Sequence, residues 1–325
     1  MVGIDNNMPI QRYIYTFRRD YHNMELCKLE SRQLFGREVE DTFLFSDVKI
    51  DPSISPFIKT RFEIISSSKN YSSLLKNIES EKIKIEGFKA EYIILDGDTT
   101  RYTERLEKLK DLGYRIDGLP DYYNPTVIYA LCQYEETWHF GLLIKHNTGW
   151  YKHKTKPYSF SNSINMDIAK SLVCIASKGN KTHKLLDACC GVGTIMLEAC
   201  ISGFRIEGCD INQKACSNTE KNLAHYEYDA LVFCTDIKDH NMSYDAAIID
   251  LPYNLFTYSN DAIALNLIKS TANLAPRVVI VSTSDIRSLI EQSGLELTDL
   301  CTVAKKGKSL FARKVWVCEK EIDLS

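Results

Sequence analysis

Lys184-Leu-Leu-Asp187-Ala-Cys-Cys-Gly191-Val-Gly193-Thr194 is the stretch in which the fold is decided. A short apolar run ends on an acid, two glycines break the chain, and Thr194 opens the helical stretch TIMLEACISG. Strand, glycine turn and helix in that order make the first half of a βαβ unit. The alternation continues through RIEGCDI, NQKACSNTEKNLAHY, ALVFCTD, YDAAIID, DAIALNLIKSTANLA and RVVIVS. Apolar strands of this length between helices of three or four turns predict a parallel sheet covered on both faces. The closing LTDLCTVAKKGKSLFARKVWVCEKE predicts two strands around Gly307. The expected fold class is therefore α/β, a doubly wound sheet finished by an antiparallel hairpin.

Upstream the texture changes. An opening strand at Tyr13 to Phe17, a helix at Met24 to Phe35, a charged stretch at Asn77 to Lys89 and a strand and helix from Tyr92 to Leu112 form an α+β pattern. VIYALCQYEETWHFGLLI closes this half as a hairpin with its turn at Glu135 and Glu136. The polar stretch from His146 to Ser159 marks a boundary, which predicts an N-terminal domain over 1–150 and a doubly wound domain over 151–325. At 325 residues, 44% of them hydrophobic, the chain has enough apolar material for two cores.

Composition removes several classes. No basic segment followed by an apolar run opens the chain, and no stretch stays apolar for the ~20 residues a membrane span needs. A cytoplasmic protein without a membrane partner is expected. Eleven cysteines carry no CxxC pair, and no His or second Cys pair stands at ligand spacing to Cys189 and Cys190. Free thiols and no metal are expected. A net charge of −3, from 40 Lys and Arg against 43 Asp and Glu, is far from the footprint of a protein that holds nucleic acid mainly by charge. Neither half is basic, so a nucleic-acid surface must be local. Lys152, Lys154 and Lys156 in the boundary and Lys305, Lys306, Lys308 and Arg313 near the terminal hairpin are the candidates.

Glycines at a strand-to-helix turn let a ligand approach the backbone, and the helix start offers free N–H groups. A dinucleotide fingerprint needs a third glycine three residues after the second, where this chain has Met196, and no GK[ST] follows for a P-loop. Asp187, at the end of its strand, suits the cationic amino group of a methionine moiety instead. The next strand ends at Asp210, about the ~20-residue interval at which an acid meets ribose hydroxyls. The third ends at Asp236, placed to accept from an adenine amine. These features favour S-adenosylmethionine, held by Asp187, Cys189, Gly191, Gly193 and Thr194, with Asp210, Ile211, Asp236 and Ile237 from the following strand ends.

The fourth strand ends in Asp250-Leu251-Pro252-Tyr253. To methylate a planar amine, an enzyme must draw the nitrogen lone pair out of conjugation, which takes two acceptors for the two N–H hydrogens. The Asp250 carboxylate and the Leu251 carbonyl supply them. Pro252 restricts Leu251 to extended backbone, and Tyr253 offers a face on which a flipped-out base stacks.

These residues carry a family resemblance. The glycine turn at Asp187 to Thr194 and Asp250-Leu-Pro-Tyr253 together resemble the amino-methyltransferases whose fourth motif is (Asp/Asn)-Pro-Pro-Tyr. Lys156-Pro-Tyr-Ser-Phe-Ser-Asn-Ser163-Ile164 and the helix from Met166 resemble the extra cofactor-binding segment of that group, which adds Ser163 to the site. Lys308-Ser-Leu-Phe-Ala-Arg313 is similar to a segment near the end of the THUMP-associated tRNA guanine-N2 methyltransferases. Arg12-Tyr-Ile-Tyr-Thr-Phe17 with the helix to Gly36 is similar to their ferredoxin-like N-terminal piece, and Asn124-Pro125-Thr-Val-Ile to the close of a THUMP module, which in that family helps to hold tRNA.

The resemblance implies a Rossmann-like S-adenosylmethionine methyltransferase domain at 151–325, behind a ferredoxin-like and THUMP-like RNA-binding region at 1–150. Guanine-N2 of tRNA is the implied target, with Asn124 among the RNA contacts. A small activator subunit stays open as a further partner. One departure stands out, Leu251 where the family usually has Pro. An rRNA guanine or DNA adenine enzyme shares the fourth motif, although no target-recognition segment is evident. A cytosine-C5 enzyme would need a nucleophilic Cys here. A non-catalytic RNA-binding remnant of the fold is the alternative from outside enzymology.

Overall fold

The computed structural model describes residues 12–18, 21–159, 164–252, 261–304 and 312–320. In chain order its elements are β1 (Tyr13–Phe17), α1 (Met24–Phe35), β2 (Phe43–Ser46), β3 (Ile58–Ser68), α2 (Tyr71–Ser80), β4 (Phe88–Tyr92), α3 (Tyr102–Gly113), β5 (Val127–Tyr134) and β6 (Thr137–Lys145). There follow α4 (Met166–Ser177), β7 (Lys184–Asp187), α5 (Thr194–Ile201), β8 (Arg205–Asp210), α6 (Gln213–His225), β9 (Val232–Cys234) and β10 (Ala246–Asp250). The chain ends with α7 (Asp261–Leu274), β11 (Arg277–Ser282), α8 (Arg287–Gln292), β12 (Leu295–Ala304) and β13 (Ala312–Lys320).

The chain divides into two compact units, one of residues 1–19, 39–52 and 57–146, the other of 20–38, 53–56 and 147–325. The first holds a six-stranded sheet in the order β2-β1-β3-β6-β5-β4, antiparallel except for the β4–β5 pair. β5 and β6 form the expected hairpin, with Glu135 in left-handed backbone at its turn. Leu74 and Ile78 of α2 and Leu112 of α3 pack on Phe88, Leu131 and Phe140 to make its main core. The charged stretch at Asn77 to Lys89 is the end of α2 and the turn into β4.

The second unit holds a seven-stranded sheet in the order β12-β13-β11-β10-β7-β8-β9. β7 to β11 are parallel, and β13 runs antiparallel between β11 and β12, as the terminal hairpin requires. β11 and the first four residues of β10 are buried, as the apolar runs VVIV and AAII dictate for strands covered on both faces. β7 pairs with β8 on one side and β10 on the other, so the order reverses at β7. In such sheets ligands bind beyond the carboxyl ends of the strands at that reversal.

The expected division at residue 150 does not hold for α1, which falls in the second unit while β1 falls in the first. The two were expected together in one ferredoxin-like piece, and packing explains the difference. α1 buries Leu26, Leu29 and Leu34, and two polar residues beside them, Glu30 and Ser31. Glu30 bonds the Ser55 hydroxyl, and burial lifts its carboxyl to about 7 even though Lys170 of α4 lies near. Arg32 makes a two-pronged ion pair with Asp299 of β12 at 2.9 Å through each nitrogen, and Gln33 adds a third bond at 2.7 Å. No periodicity in α1 itself reveals which sheet it will cover. The boundary segment is fixed to this unit by His153, whose ring bonds Glu198 at 2.8 Å and the Tyr228 hydroxyl at 3.0 Å.

Leu29 is fully buried, so Leu29→Ala should cost about 2–5 kcal/mol. The loss belongs to the second unit: hydrogen exchange should accelerate in α4, β11 and β12. Acceleration confined to β3 and β6 would assign α1 to the wrong unit.

Candidate active site

Four elements of the second unit converge on one cavity of about 250 Å³, lined by Ile164, Cys189, Cys190, Gly191, Val192, Thr194, Ile195, Asp210, Asp250 and Pro252. The glycine turn forms its floor. Gly191 has φ 56° and Gly193 φ 78°, and a Cβ on Gly193 would lie 2.7 Å from Cγ2 of Thr219. Only glycine satisfies both the left-handed backbone and that close approach. Gly193 then starts α5, with Thr194 buried at its first turn.

Asp187 closes β7 at 1% exposure, and among the described residues neither carboxylate oxygen has a hydrogen-bond partner of normal geometry. Burial raises its pKa well above the usual carboxylate range, the charges of Asp250 and Asp210 raise it further, and the Cys189 amide offsets this only in part. A buried acid without a partner is costly unless a cation or donor supplies what the protein withholds. The amino group of a methionine moiety is such a donor. Asp210 differs: Oδ2 accepts the Gly191 amide at 2.9 Å and Oδ1 the Asn212 amide at 2.8 Å, which ties the second strand end to the glycine turn. Each oxygen keeps a second lone pair for a hydroxyl. An orphaned acid beside a turn that admits only glycine fits the expected cofactor.

Asp250 lies at the end of β10 on the same cavity, followed by Pro252. Leu251 between them is fully buried in the core with Ile249, Ile268 and Ile280. Its amide donates to the Val281 carbonyl of β11 at 3.0 Å. A proline could not donate that bond and would fill less of the core, so packing and one main-chain bond take the place of the usual proline in holding this backbone. Tyr253 and Ser163 lie outside the described residues, as do Lys305, Lys306 and Lys308.

The remaining expected residues separate. Ile237 packs into the core beneath the third strand end. Asp236 caps the turn after β9, accepting the Lys238 amide at 3.1 Å and pairing with its ammonium at 3.2 Å, which holds its carboxyl below the ordinary range. Ile211 is 74% exposed beside Asp210. Arg313, expected on the RNA surface, is buried opposite Val303 in the β12–β13 ladder. Asn124 is exposed, its amide bonded to Asp121 at 2.9 Å. Cys190, Val192 and Ile195 line the cavity without having been expected to. They are apolar neighbours of the motif, and only the turn geometry decides which of them face inward. A larger cavity of about 990 Å³ in the first unit includes Leu106, Tyr114, Arg115 and Tyr122, and none of the strand-end acids.

Asp187 also sets a pH dependence. An unfolded aspartate ionises near pH 4, whereas the buried one keeps its proton to higher pH. Its contribution to stability is therefore present below about pH 4 and is lost as the pH rises through the raised native value. Asp187→Asn should raise the melting temperature of the unliganded protein at about pH 8 and leave it nearly unchanged at about pH 4. Equal melting of variant and parent at both pH values would show that the carboxyl is not strained.

Residues 153–303 match the family model UPF0020, RMKL-like methyltransferase domain. Among curated proteins, the chain is 33% identical over 104 residues to the tRNA (guanine(10)-N2)-dimethyltransferase of Methanothermobacter thermautotrophicus. That match takes in 31% of this chain and 30% of the length of the relative. Similar solved structures include TrmN from Thermus thermophilus, at 14% identity and a TM-score of 0.47 over 95% of this chain and 99% of that one. Another is magnesium protoporphyrin IX methyltransferase from Synechocystis with bound SAM, at 16% identity and a TM-score of 0.42 over 54% and 93%. The segment that matches this methyltransferase family model, residues 153–303, is the part of the chain that carries the reversed strand order, the glycine turn and the strand-end acids.

Proposed function

We propose that this chain methylates the exocyclic N2 amine of a guanine in tRNA, using S-adenosylmethionine. The observation that carries the reading is Asp250, which faces the same cavity as Gly191, Thr194 and Asp210, on a loop fixed by the burial and main-chain bond of Leu251. The likeness to a tRNA guanine-N2 enzyme supports the choice of base and nucleic acid. S-adenosylmethionine, when bound, supplies an electrophilic methyl group.

The residues of the chain do the rest. Asp187 holds the cationic amino group and Asp210 a sugar hydroxyl. Asp250 accepts one amine hydrogen of the base and the Leu251 carbonyl the other, which turns the nitrogen lone pair toward the methyl. Cys190, Val192 and Ile195 give this end of the cavity an apolar wall, where such bonds are stronger than in water. The exposed Lys152 and Lys154 offer local cations to the phosphate backbone, as a chain of net charge −3 requires.

Incubation with methyl-labelled S-adenosylmethionine and an unmodified tRNA transcript, followed by nucleoside mass spectrometry, tests the reading. Label in N2-methylguanosine or N2,N2-dimethylguanosine is expected. Label only in N6-methyladenine, or none from protein that binds the cofactor, would overturn it. In single turnover, Asp250→Ala should slow transfer about 100-fold or more with little change in tRNA affinity, because the acceptor acts mainly as the nitrogen rehybridises. Leu251→Pro removes the bond to Val281 and the buried side chain, so it should destabilise the protein by about 3 kcal/mol or more. A more stable Leu251→Pro protein would contradict the account of the loop.

A further inference from the structure

α6 does more than cover the sheet. Asn212 starts it, accepting the amides of Lys214 and Ala215 and donating its own amide to Asp210. Two turns further along, Thr219 and Asn222 share one face at i and i+3 spacing, and both are fully buried. The Thr219 hydroxyl donates to the Gly191 carbonyl at 2.8 Å. The Asn222 amide nitrogen donates to the Val192 carbonyl and to the Tyr158 carbonyl, each at 2.9 Å, while its oxygen accepts the Tyr158 amide at 3.0 Å.

Every one of these bonds goes to main chain, and none belongs to a helix or sheet ladder. Apolar side chains would cover the sheet here at lower desolvation cost, so the two polar groups serve to select a backbone shape. A trans peptide places its N–H opposite its C=O. Drawing the carbonyls of Gly191 and Val192 toward α6 therefore turns the Val192 amide the other way and keeps those carbonyl oxygens out of the cavity, while the Gly193 amide closes the turn onto the Cys190 carbonyl at 2.7 Å. The same helix face clamps the main chain at Tyr158 through both its amide and its carbonyl.

We infer that Thr219 and Asn222 are positioning residues that shape the glycine turn for the amino-acid end of the cofactor. The inference rests on the cavity being the S-adenosylmethionine site. Since Asp187 borders the turn, the amino-acid end is the part of the ligand that a distorted turn would disturb, and the adenosine end is spared.

Two ligands separate shaping from general support: S-adenosylhomocysteine, and 5′-methylthioadenosine, which lacks the amino-acid end. Thr219→Val and Asn222→Leu keep volume and remove the bonds. Each should weaken S-adenosylhomocysteine about tenfold and leave 5′-methylthioadenosine within about twofold. Thr219→Ser, which keeps the hydroxyl, should restore binding. Thr271→Val removes a comparable buried bond, to the Leu267 carbonyl in α7, and should leave both affinities unchanged. Should Asn222→Leu fail to fold, Thr219→Val decides. Parental affinity in folded variants, or equal losses for both ligands, would overturn the inference alone. A parent that binds neither ligand would overturn the reading of the cavity as well.

Discussion

A carboxylate that the protein buries with too little to offset the cost of its charge organises the second unit. Asp187 sits at the strand where the sheet reverses, with the charges of Asp210 and Asp250 adding to the cost of its ionisation. Such an arrangement persists when the bound state repays what the free state loses. Around it the fold supplies a turn whose second glycine admits no side chain, a neighbouring acid with one oxygen on that turn and the other on the start of α6, and a third acid at the end of β10. One buried charge thus links the strand order to the affinity expected for a cationic ligand.

Support for the transfer side comes from the core. Asp250 ends a strand that is otherwise buried, and Leu251 continues the pairing toward β11 while anchoring in the hydrophobic cluster. Where a proline would restrict Asp250 through backbone sterics, this chain uses burial and one hydrogen bond. The orientation of the two acceptors is thereby coupled to the packing of β10 and β11. Core substitutions beneath the loop are then expected to reach the chemistry without touching substrate.

Much of this was legible in the sequence, for physical reasons. Runs such as VVIV of β11 and AAII of β10 are apolar because their strands are covered on both faces, and the acids that end β7, β8 and β10 follow from where such sheets place ligands. Four features were not legible. The placement of α1 depends on Arg32 and Gln33 meeting Asp299 far along the chain, and no local period encodes that pairing. The structural tasks of Asp236 and Ile237, a cap to Lys238 and a place in the core, do not show in their position after the third strand. Thr219 and Asn222 look like ordinary surface residues of an amphipathic helix until the turn folds against them. In the first half, the short Phe43–Ser46 strand and the serine-rich end of β3 carry too weak an alternation to announce a six-stranded sheet.

The central claim is that Asp187 awaits a cation. Calorimetric titration with S-adenosylhomocysteine, repeated in buffers of different ionisation enthalpy, tests it most directly. An ammonium beside the carboxyl favours its ionised form, so binding should release a proton within the range from about pH 5 to about pH 8, above the ordinary aspartate range. Saturable binding with no proton release across that range, or no binding by folded protein, would contradict the account.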